Sequence, residues 1–354
     1  MLPSRREFLL GLAAGSAAAL VGSQEARAEA RLISWPSRVV QLPPDDEDSK
    51  PPVVTALRLH QAGEWLATAG DDHIVRVWNL ESGKLFHKLD SHADWVRTID
   101  YTPDGRILAS AGSDRQIILW DAASGLERDV FAVQPAAIAA IRYSHDGKLL
   151  AAVGFDEFVR IYDTASKQQV AQAAAPCQDV RALTFSPDDQ MLAVGGRCGR
   201  IRLISVPSGD MVRDIPAHRQ RIRALAFSSD GSYIASAGED RVIHVAALAT
   251  GVSDRLPLRP AKAMSLVFYG PQHLAVAGSD NVIRLWDVTT KEETGILRGH
   301  TGTVAALECQ GKVLVSAGYD TTVRIWEIGD KVAGVNETPG RVGTRPSEVL
   351  PRTR

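Results

Sequence analysis

The stretch GSDRQIILWDA, residues 112–122, decides the fold because it returns along the chain. Its copies are GDDHIVRVWNL at 70–80, GFDEFVRIYDT at 154–164, GRCGRIRLISV at 196–206, GEDRVIHVAAL at 238–248, GSDNVIRLWDV at 278–288 and GYDTTVRIWEI at 318–328. The slot filled by tryptophan in the best copies falls at Trp78, Trp120, Tyr162, Ile204, Ala246, Trp286 and Trp326, at intervals of 42, 42, 42, 42, 40 and 40 residues. A fixed period of this length marks one supersecondary unit stacked on copies of itself. Within the period, Trp95 to Tyr101 alternates apolar and polar residues, as a half-buried strand does. A Pro103-Asp104-Gly105 turn, a strand from Ile107 to Ala111, the Gly-Ser-Asp turn, a strand from Gln116 to Trp120 and a Ser124-Gly125 turn follow. The body of the repeats shows no helical period.

This pattern resembles the WD40 repeat, a four-stranded blade, over roughly residues 32–328. The resemblance implies an all-β, seven-bladed β-propeller with four antiparallel strands per blade, closed into a ring that removes most exposed sheet edges. The seven copies supply only three strands to the last blade. Ser37 to Leu42 is the favoured source of the fourth, and Lys331 to Val335 is the competing one. The propeller is expected over residues 29–328, with a disordered tail over 329–354 that is rich in Gly, Pro, Arg and Thr.

Residues 1–28 are a separate object. Ser4-Arg5-Arg6-Glu7-Phe8-Leu9-Leu10 precedes an apolar run to Val21 and the small-residue site Ala26-Arg27-Ala28. The order of charged region, short apolar region and cleavage site is that of a signal peptide. It resembles a twin-arginine (Tat) export signal, which implies a periplasmic or cell-envelope protein, with cleavage after Ala28. The apolar run falls short of the roughly 20 residues of a membrane span. Retention as an uncleaved anchor is the alternative.

In the family that the chain resembles, a His, a Ser or Thr, an Asp and a Trp of one blade bond in series. Carried over, the full set is His92, Ser110, Asp114 and Trp120 in blade two, and His300, Ser316, Asp320 and Trp326 in blade seven. Blade one keeps Thr68, Asp72 and Trp78. Blade five keeps His218, Ser236 and Asp240, with Ala246 in the tryptophan slot. A Ser, His and Asp together suggest a hydrolase, but this spacing recurs between blades as a stabilising device does, and no G-x-S-x-G elbow accompanies it. Blade four departs most, with Cys198 in the Asp slot and Cys177 beside the His slot. A Cys177–Cys198 disulfide in place of the missing hydrogen bond is expected, since an exported compartment permits it. Cys309 reads as a buried core thiol. The arginines two residues before the tryptophan slot, Arg76, Arg160, Arg202, Arg284 and Arg324, read as strand-surface packing.

The resemblance also implies which residues ring the top entrance of the propeller, three per blade. The ring is uneven. Arg181, Arg197, Arg221, Arg223 and Lys262 form a basic arc on blades four to six, with Asp179 and Glu239 placed to pair with its arginines. Trp95, Arg97, Phe155 and Tyr319 put aromatics and a further cation on other blades. Arginine forms bidentate bonds to carboxylates and phosphates, and exposed aromatics anchor interfaces. The acidic run Asp45-Asp46-Glu47-Asp48 reads as a solvated loop, since it lacks the spacing of a calcium-binding loop.

Net charge is −2 on 354 residues, so no global field draws the chain to nucleic acid or anionic lipid. Three cysteines lack paired C-x-x-C zinc spacing. No cofactor, no metal and no catalytic residue is assigned. The expected function is that of a non-catalytic exported scaffold that binds a protein or peptide partner on the top rim, with an acidic partner at the basic arc. The alternative is a carbohydrate or small-ligand sensor that uses the rim aromatics. A propeller enzyme is the weaker rival, because the rim holds two Asp, one Glu and no His.

Overall fold

The computed structural model describes residues 36–41, 53–258 and 260–328. The expected signal peptide over 1–28, the acidic run at 45–48, Leu42, the segment Lys331 to Val335 and the tail over 329–354 lie outside the described residues.

Seven four-stranded antiparallel sheets make up the described chain, and no helix is present among its residues. In blades one to six, four consecutive strands pair in chain order; in blade two these are Val96–Tyr101, Ile107–Gly112, Gln116–Asp121 and Glu127–Val133. Blade seven is built differently. Its three C-terminal strands, Val304–Gln310, Val313–Gly318 and Thr322–Glu327, take Ser37–Gln41 as the outer strand, with Val39 opposite Arg324 and Val40 opposite Val323. The N-terminal strand therefore closes the ring.

The alternation expected of a half-buried strand gives each sheet two buried faces. The second strand of every blade is buried over five consecutive residues, as Leu108–Gly112 shows, because neighbouring sheets cover it on both sides. The apolar side chains sort into seven clusters, and each straddles two adjacent blades. Ala67, Val77 and Leu89 of blade one pack with Val96, Ile99 and Trp120 of blade two. Val40, from the closing strand, packs with Val315 and Ile325 of blade seven and with Leu57 and Trp78 of blade one. The core is thus a ring of seven interfaces with no centre, and the axis is left open as a channel lined by the first strand of each blade.

Ring closure gives this packing a testable consequence. Val40 is 9% exposed in the interface between blades seven and one, whereas its neighbour Val39 is 42% exposed. Val40→Asp places an unpaired charge in an apolar interface and should cost about 2–4 kcal/mol. Val39→Asp should cost less than about 1 kcal/mol. Chemical denaturation of both variants checks this; equal losses would mean that the closing strand is not packed as described.

Candidate functional site

The rim is assembled by three local devices that repeat from blade to blade. The first is a bulge. The first strand of every blade shifts register at its second residue, as between Val96 and Thr98 in blade two and between Val180 and Ala182 in blade four. The residues skipped are Thr55, Arg97, Ala139, Arg181, Arg223, Met264 and Ala305. A bulge re-aims the side chain it carries, and all seven of these residues line the mouth of the channel.

The second device is a backbone bond. The N–H of the residue before the turn Asp donates to the carbonyl of the residue before the first strand: Ser113 to Trp95 at 2.9 Å, Arg197 to Asp179 at 3.1 Å and Tyr319 to Thr303 at 2.9 Å. The third is the glycine that opens each repeat. A Cβ on Gly112 would lie 1.9 Å from the Trp95 carbonyl oxygen, so only glycine permits that approach. Together these devices bring the three rim positions of a blade to one edge.

The turn Asp beneath the rim needs a donor. In blade two His92 Nδ1 lies 2.6 Å from Asp114 Oδ2, its Nε2 lies 2.7 Å from Ser110 Oγ, and Trp120 Nε1 donates to the same hydroxyl at 2.8 Å. In blade seven His300 Nδ1 lies 2.9 Å from Asp320 Oδ2, its Nε2 is 2.7 Å from Ser316 Oγ, and Trp326 Nε1 donates to that hydroxyl at 2.8 Å. Blade five has His218 against Asp240 at 2.9 Å and Ser236 at 2.8 Å, and Trp78 of blade one donates to Thr68 Oγ1 at 2.8 Å. The Ser110, Ser236 and Ser316 side chains are fully buried.

Blades one, three and six have no such histidine. There the arginine two residues before the tryptophan slot reaches the Asp: Arg76 to Asp72, Arg160 to Asp156 and Arg284 to Asp280, each at 2.6 Å. These arginines are more than packing stems. They are buried ion-pair partners that replace the histidine, which the sequence reading missed. The available signal was their coincidence with blades that lack the His. In blade three Gln134, in the His slot, also donates to Tyr162 Oη at 2.7 Å. Trp286 of blade six has no hydroxyl to bond, since Val276 stands in that slot, and its buried Nε1 has no partner among the described residues.

Blade four carries the two cysteines. Cys177 and Cys198 are adjacent but free, with the Cys198 N–H donating to Cys177 Sγ at 3.2 Å. Burial and the neighbouring Cys198 push the Cys177 thiol up to about 11. Cys309 is only half-buried, against the cluster between blades six and seven, and burial pushes it up to about 12.

The basic arc is largely paired with itself. Asp179 accepts from Arg181 Nε at 2.5 Å and from Arg221 Nη2 at 2.7 Å; Glu239 accepts from Arg221 Nη1 at 3.3 Å and from Arg223 Nε at 2.7 Å. This zigzag ties blade four to blade five. Arg197 and Lys262 stand exposed beside it. The arrangement on blades two to four differs. Arg97 lies over both the Trp95 and Phe155 rings, at 5.6 and 5.2 Å from their centroids, and Arg181 lies 4.9 Å from the Phe155 centroid. Arg97 donates to Ser113 Oγ at 2.8 Å and has no carboxylate within 4 Å among the described residues. Burial, and then the charge of Arg181, lower its pKa. Trp95 and Tyr319 are 49% and 51% exposed at the mouth. Among the described residues, no three His, Cys, Asp or Glu side chains gather as a metal site requires.

A family model for the WD domain, G-beta repeat, matches residues 47–79, 83–121, 130–163 and 291–327, and a model for the anaphase-promoting complex subunit 4 WD40 domain matches 171–230. The protein is a WD40-type propeller. Among curated proteins, the propeller is similar to the nuclear distribution protein PAC1 of Coccidioides posadasii, 38% identical over 45 residues that are 13% of this chain and 10% of that protein. It is also similar to the anaphase-promoting complex subunit cdh1 of Dictyostelium discoideum, 31% identical over 72 residues, 20% of this chain and 10% of that protein. The DENN domain and WD repeat-containing protein SCD1 of Arabidopsis thaliana is 44% identical over 39 residues, 11% of this chain and 3% of that protein. The matched stretches thus span a tenth or less of these relatives.

The relay predicts how stability follows pH. Burial outweighs the Asp contacts and lowers His218 and His300 below their ordinary 6.5; burial, helped by the nearby His218 charge, pushes His244 down to about 4. Below pH 6.5 the unfolded chain therefore binds protons that the folded chain refuses, and stability falls as pH falls. Burial alone would raise Asp114 and Asp320, but bonds from His92, His300 and backbone N–H groups hold both below 3.8. Their stabilisation is present above that value and is also lost on acidification. The melting temperature should decline from pH 7 to 5, and again below 4. His244→Val should show a smaller decline between pH 7 and 5; an equal decline would assign the loss to other groups.

Proposed function

We propose that this WD40 propeller is a non-catalytic scaffold, exported to the periplasm or cell envelope, that binds a protein or peptide partner on its top rim through an acidic segment. WD40 propellers fit protein-interaction functions, and one relative is named as a subunit of a complex. The observation that carries the reading is Arg97, turned into the mouth by its bulge, stacked on Trp95 and Phe155, and free of any carboxylate within 4 Å among the described residues. A guanidinium pre-positioned on aromatic surface loses little freedom when it takes a carboxylate. The focus of the site therefore moves from the arc on blades four to six, where Asp179 and Glu239 already occupy Arg181, Arg221 and Arg223, toward Trp95, Arg97 and Phe155. Arg197, Lys262 and Tyr319 form its periphery. The same geometry weighs against the carbohydrate reading, because Arg97 covers one face of each ring that a sugar would stack on.

Affinity capture from envelope extract tests the rim. Arg97→Glu and Trp95→Ala should each reduce partner retention at least tenfold, as loss of a central anchor does, while Val212→Glu on the outer strand of blade four should leave it unchanged. Retention that is equal in all baits would move the site away from the mouth.

Export and the cysteine pair are tested together. Export brings the chain to an oxidising compartment, where Cys177 and Cys198 can close a disulfide with a thiol–disulfide oxidoreductase as electron acceptor. The raised Cys177 pKa leaves little thiolate to react unaided. Arg5→Lys with Arg6→Lys should retain the chain in the cytoplasm with all three cysteines alkylatable, whereas the exported chain should alkylate only Cys309. Export that survives the double substitution excludes the twin-arginine route, and full alkylation of the exported chain excludes the disulfide.

A further inference from the structure

The channel is a single cavity of about 690 Å³ that runs from the rim to a second level of side chains deeper in the ring. That volume lies within the roughly 300–1,000 Å³ of small-molecule sites. Five arginines line it, Arg58, Arg97, Arg142, Arg181 and Arg223, against two carboxylates, Asp71 and Glu308. Arg58, Arg181 and Arg223 are paired with carboxylates, which leaves Arg97 and Arg142 as the arginines of this lining with none within 4 Å among the described residues.

The deeper level holds one residue from each blade, three positions beyond the bulge. Around blades seven, one, two and three it reads Glu308, Arg58, Asp100 and Arg142; blades four, five and six contribute Thr184, Ala226 and Val267. Three of the four charges are spent on each other and on backbone. Arg58 bonds Glu308, and its Nε donates to Asp100 Oδ1 at 2.9 Å; Asp100 Oδ2 accepts the Tyr143 N–H at 2.7 Å. Arg142 ends the series. Its Nη1 donates to the Ile141 carbonyl at 2.7 Å, and among the described residues no carboxylate lies within 4 Å of it. Asp100 and Glu308 act on it from beyond bonding range and are outweighed by burial and by Arg58, which bring its pKa down to about 10. Beside it the wall turns neutral at Thr184 and Ala226, which leaves room on that side.

We propose that the floor of the channel binds a compact oxyanion, a phosphate or carboxylate group of a small polyanionic ligand, with Arg142 as its bidentate partner and Arg97 and Arg181 facing the rest of the ligand from the mouth. The site shares Arg97 and Arg181 with the partner rim, but its anchor, Arg142, lies three residues further along the first strand of blade three than the rim position Ala139. The bound anion supplies the counter-charge that the fold withholds from Arg142.

Titration calorimetry and thermal melting of the full chain at low salt, with tripolyphosphate in one arm and tricarballylate in the other, test the site. At least one probe should bind with one-to-one stoichiometry and raise the melting temperature, as any ligand selective for the folded state must. The arm that responds identifies phosphate or carboxylate as the preferred group. Arg142→Met should weaken that binding at least tenfold, as loss of a bidentate charged pair does, while the free protein melts no lower than wild type, because an uncompensated cation has been removed. Ala139→Glu, which places a carboxylate at the mouth on the same blade, should also abolish binding. An Arg142→Met variant that binds within about twofold of wild type, or failure of both probes to bind, overturns the site.

Discussion

A carboxylate set in a tight turn at the top of a blade, half-buried and out of reach of bulk water on one side, must be given a donor, and much of the propeller is arranged around that demand. An ionised carboxylate taken from water without a partner costs several kcal/mol. Blades two, five and seven meet the demand with a histidine that arrives from the connection out of the preceding blade. Blades one, three and six meet it with an arginine from the third strand of the same blade, four residues beyond the Asp. The two solutions are not equivalent. The histidine bonds a Ser as well as the Asp, so it ties the incoming connection to the second strand and, in blades two and seven, through the hydroxyl to the tryptophan. The arginine closes a local loop between the turn and the third strand of its own blade. In those blades the join to the neighbour rests on the apolar cluster and on polar bonds elsewhere in the interface, such as Arg58 Nε to Asp100 Oδ1 at 2.9 Å between blades one and two and Lys291 Nζ to Asp254 Oδ1 at 2.7 Å between blades six and five.

The same turn positions the rim. Its glycine lets the backbone of the preceding segment approach, one N–H to carbonyl bond fixes the spacing, and the bulge follows immediately. What a blade shows to the mouth is then decided by three residues that the fold itself does not need to specify. Blades four and five fill those places with arginines and carboxylates that neutralise one another in series, giving a rigid bridge between blades. Blades two and three fill them with Trp95, Arg97 and Phe155, where the cation is held by aromatic faces. Aromatic contact fixes a guanidinium without discharging it, so Arg97 keeps its charge unspent although it stands apart from the basic arc.

The fold was legible because its signal is repetition. A Gly, an Asp and a Trp at fixed offsets, at a period near 42 residues, leave little else to build, and even the closing strand was readable as the piece missing from the last blade. The rim positions were assigned through the family resemblance, slot by slot. Pairing was not legible, because it depends on distances between side chains of different blades: Arg221 reaches Asp179, 42 residues away, at 2.7 Å, and nothing in the local pattern reports this. The arginines at the tryptophan-minus-two position were misread as packing stems for a related reason. Their partner lies within the repeat, but their role shows only when blades with and without the histidine are compared. Cys177 and Cys198 were placed together by slot, and the structure sets them in contact as thiols.

The bulge also explains why one strand can serve two levels of the channel. In a regular strand, residues an odd number apart point to opposite faces. An extra residue on one strand of a pair advances the alternation by one, so a bulge residue and the residue three places on both turn toward the axis, as Arg97 and Asp100 do in blade two and Ala139 and Arg142 in blade three. Each blade therefore presents one side chain to the mouth and one to the floor, and the two can change independently. At the floor the sequence of charges alternates in sign around half the ring and stops. An alternating series closes on itself only if its last member meets an opposite charge, and here the wall beyond Arg142 is Thr184. The series is left open at a cation inside a cavity with room beside it, and that vacancy in the charge pattern, more than any single contact, makes the channel a place for an anion.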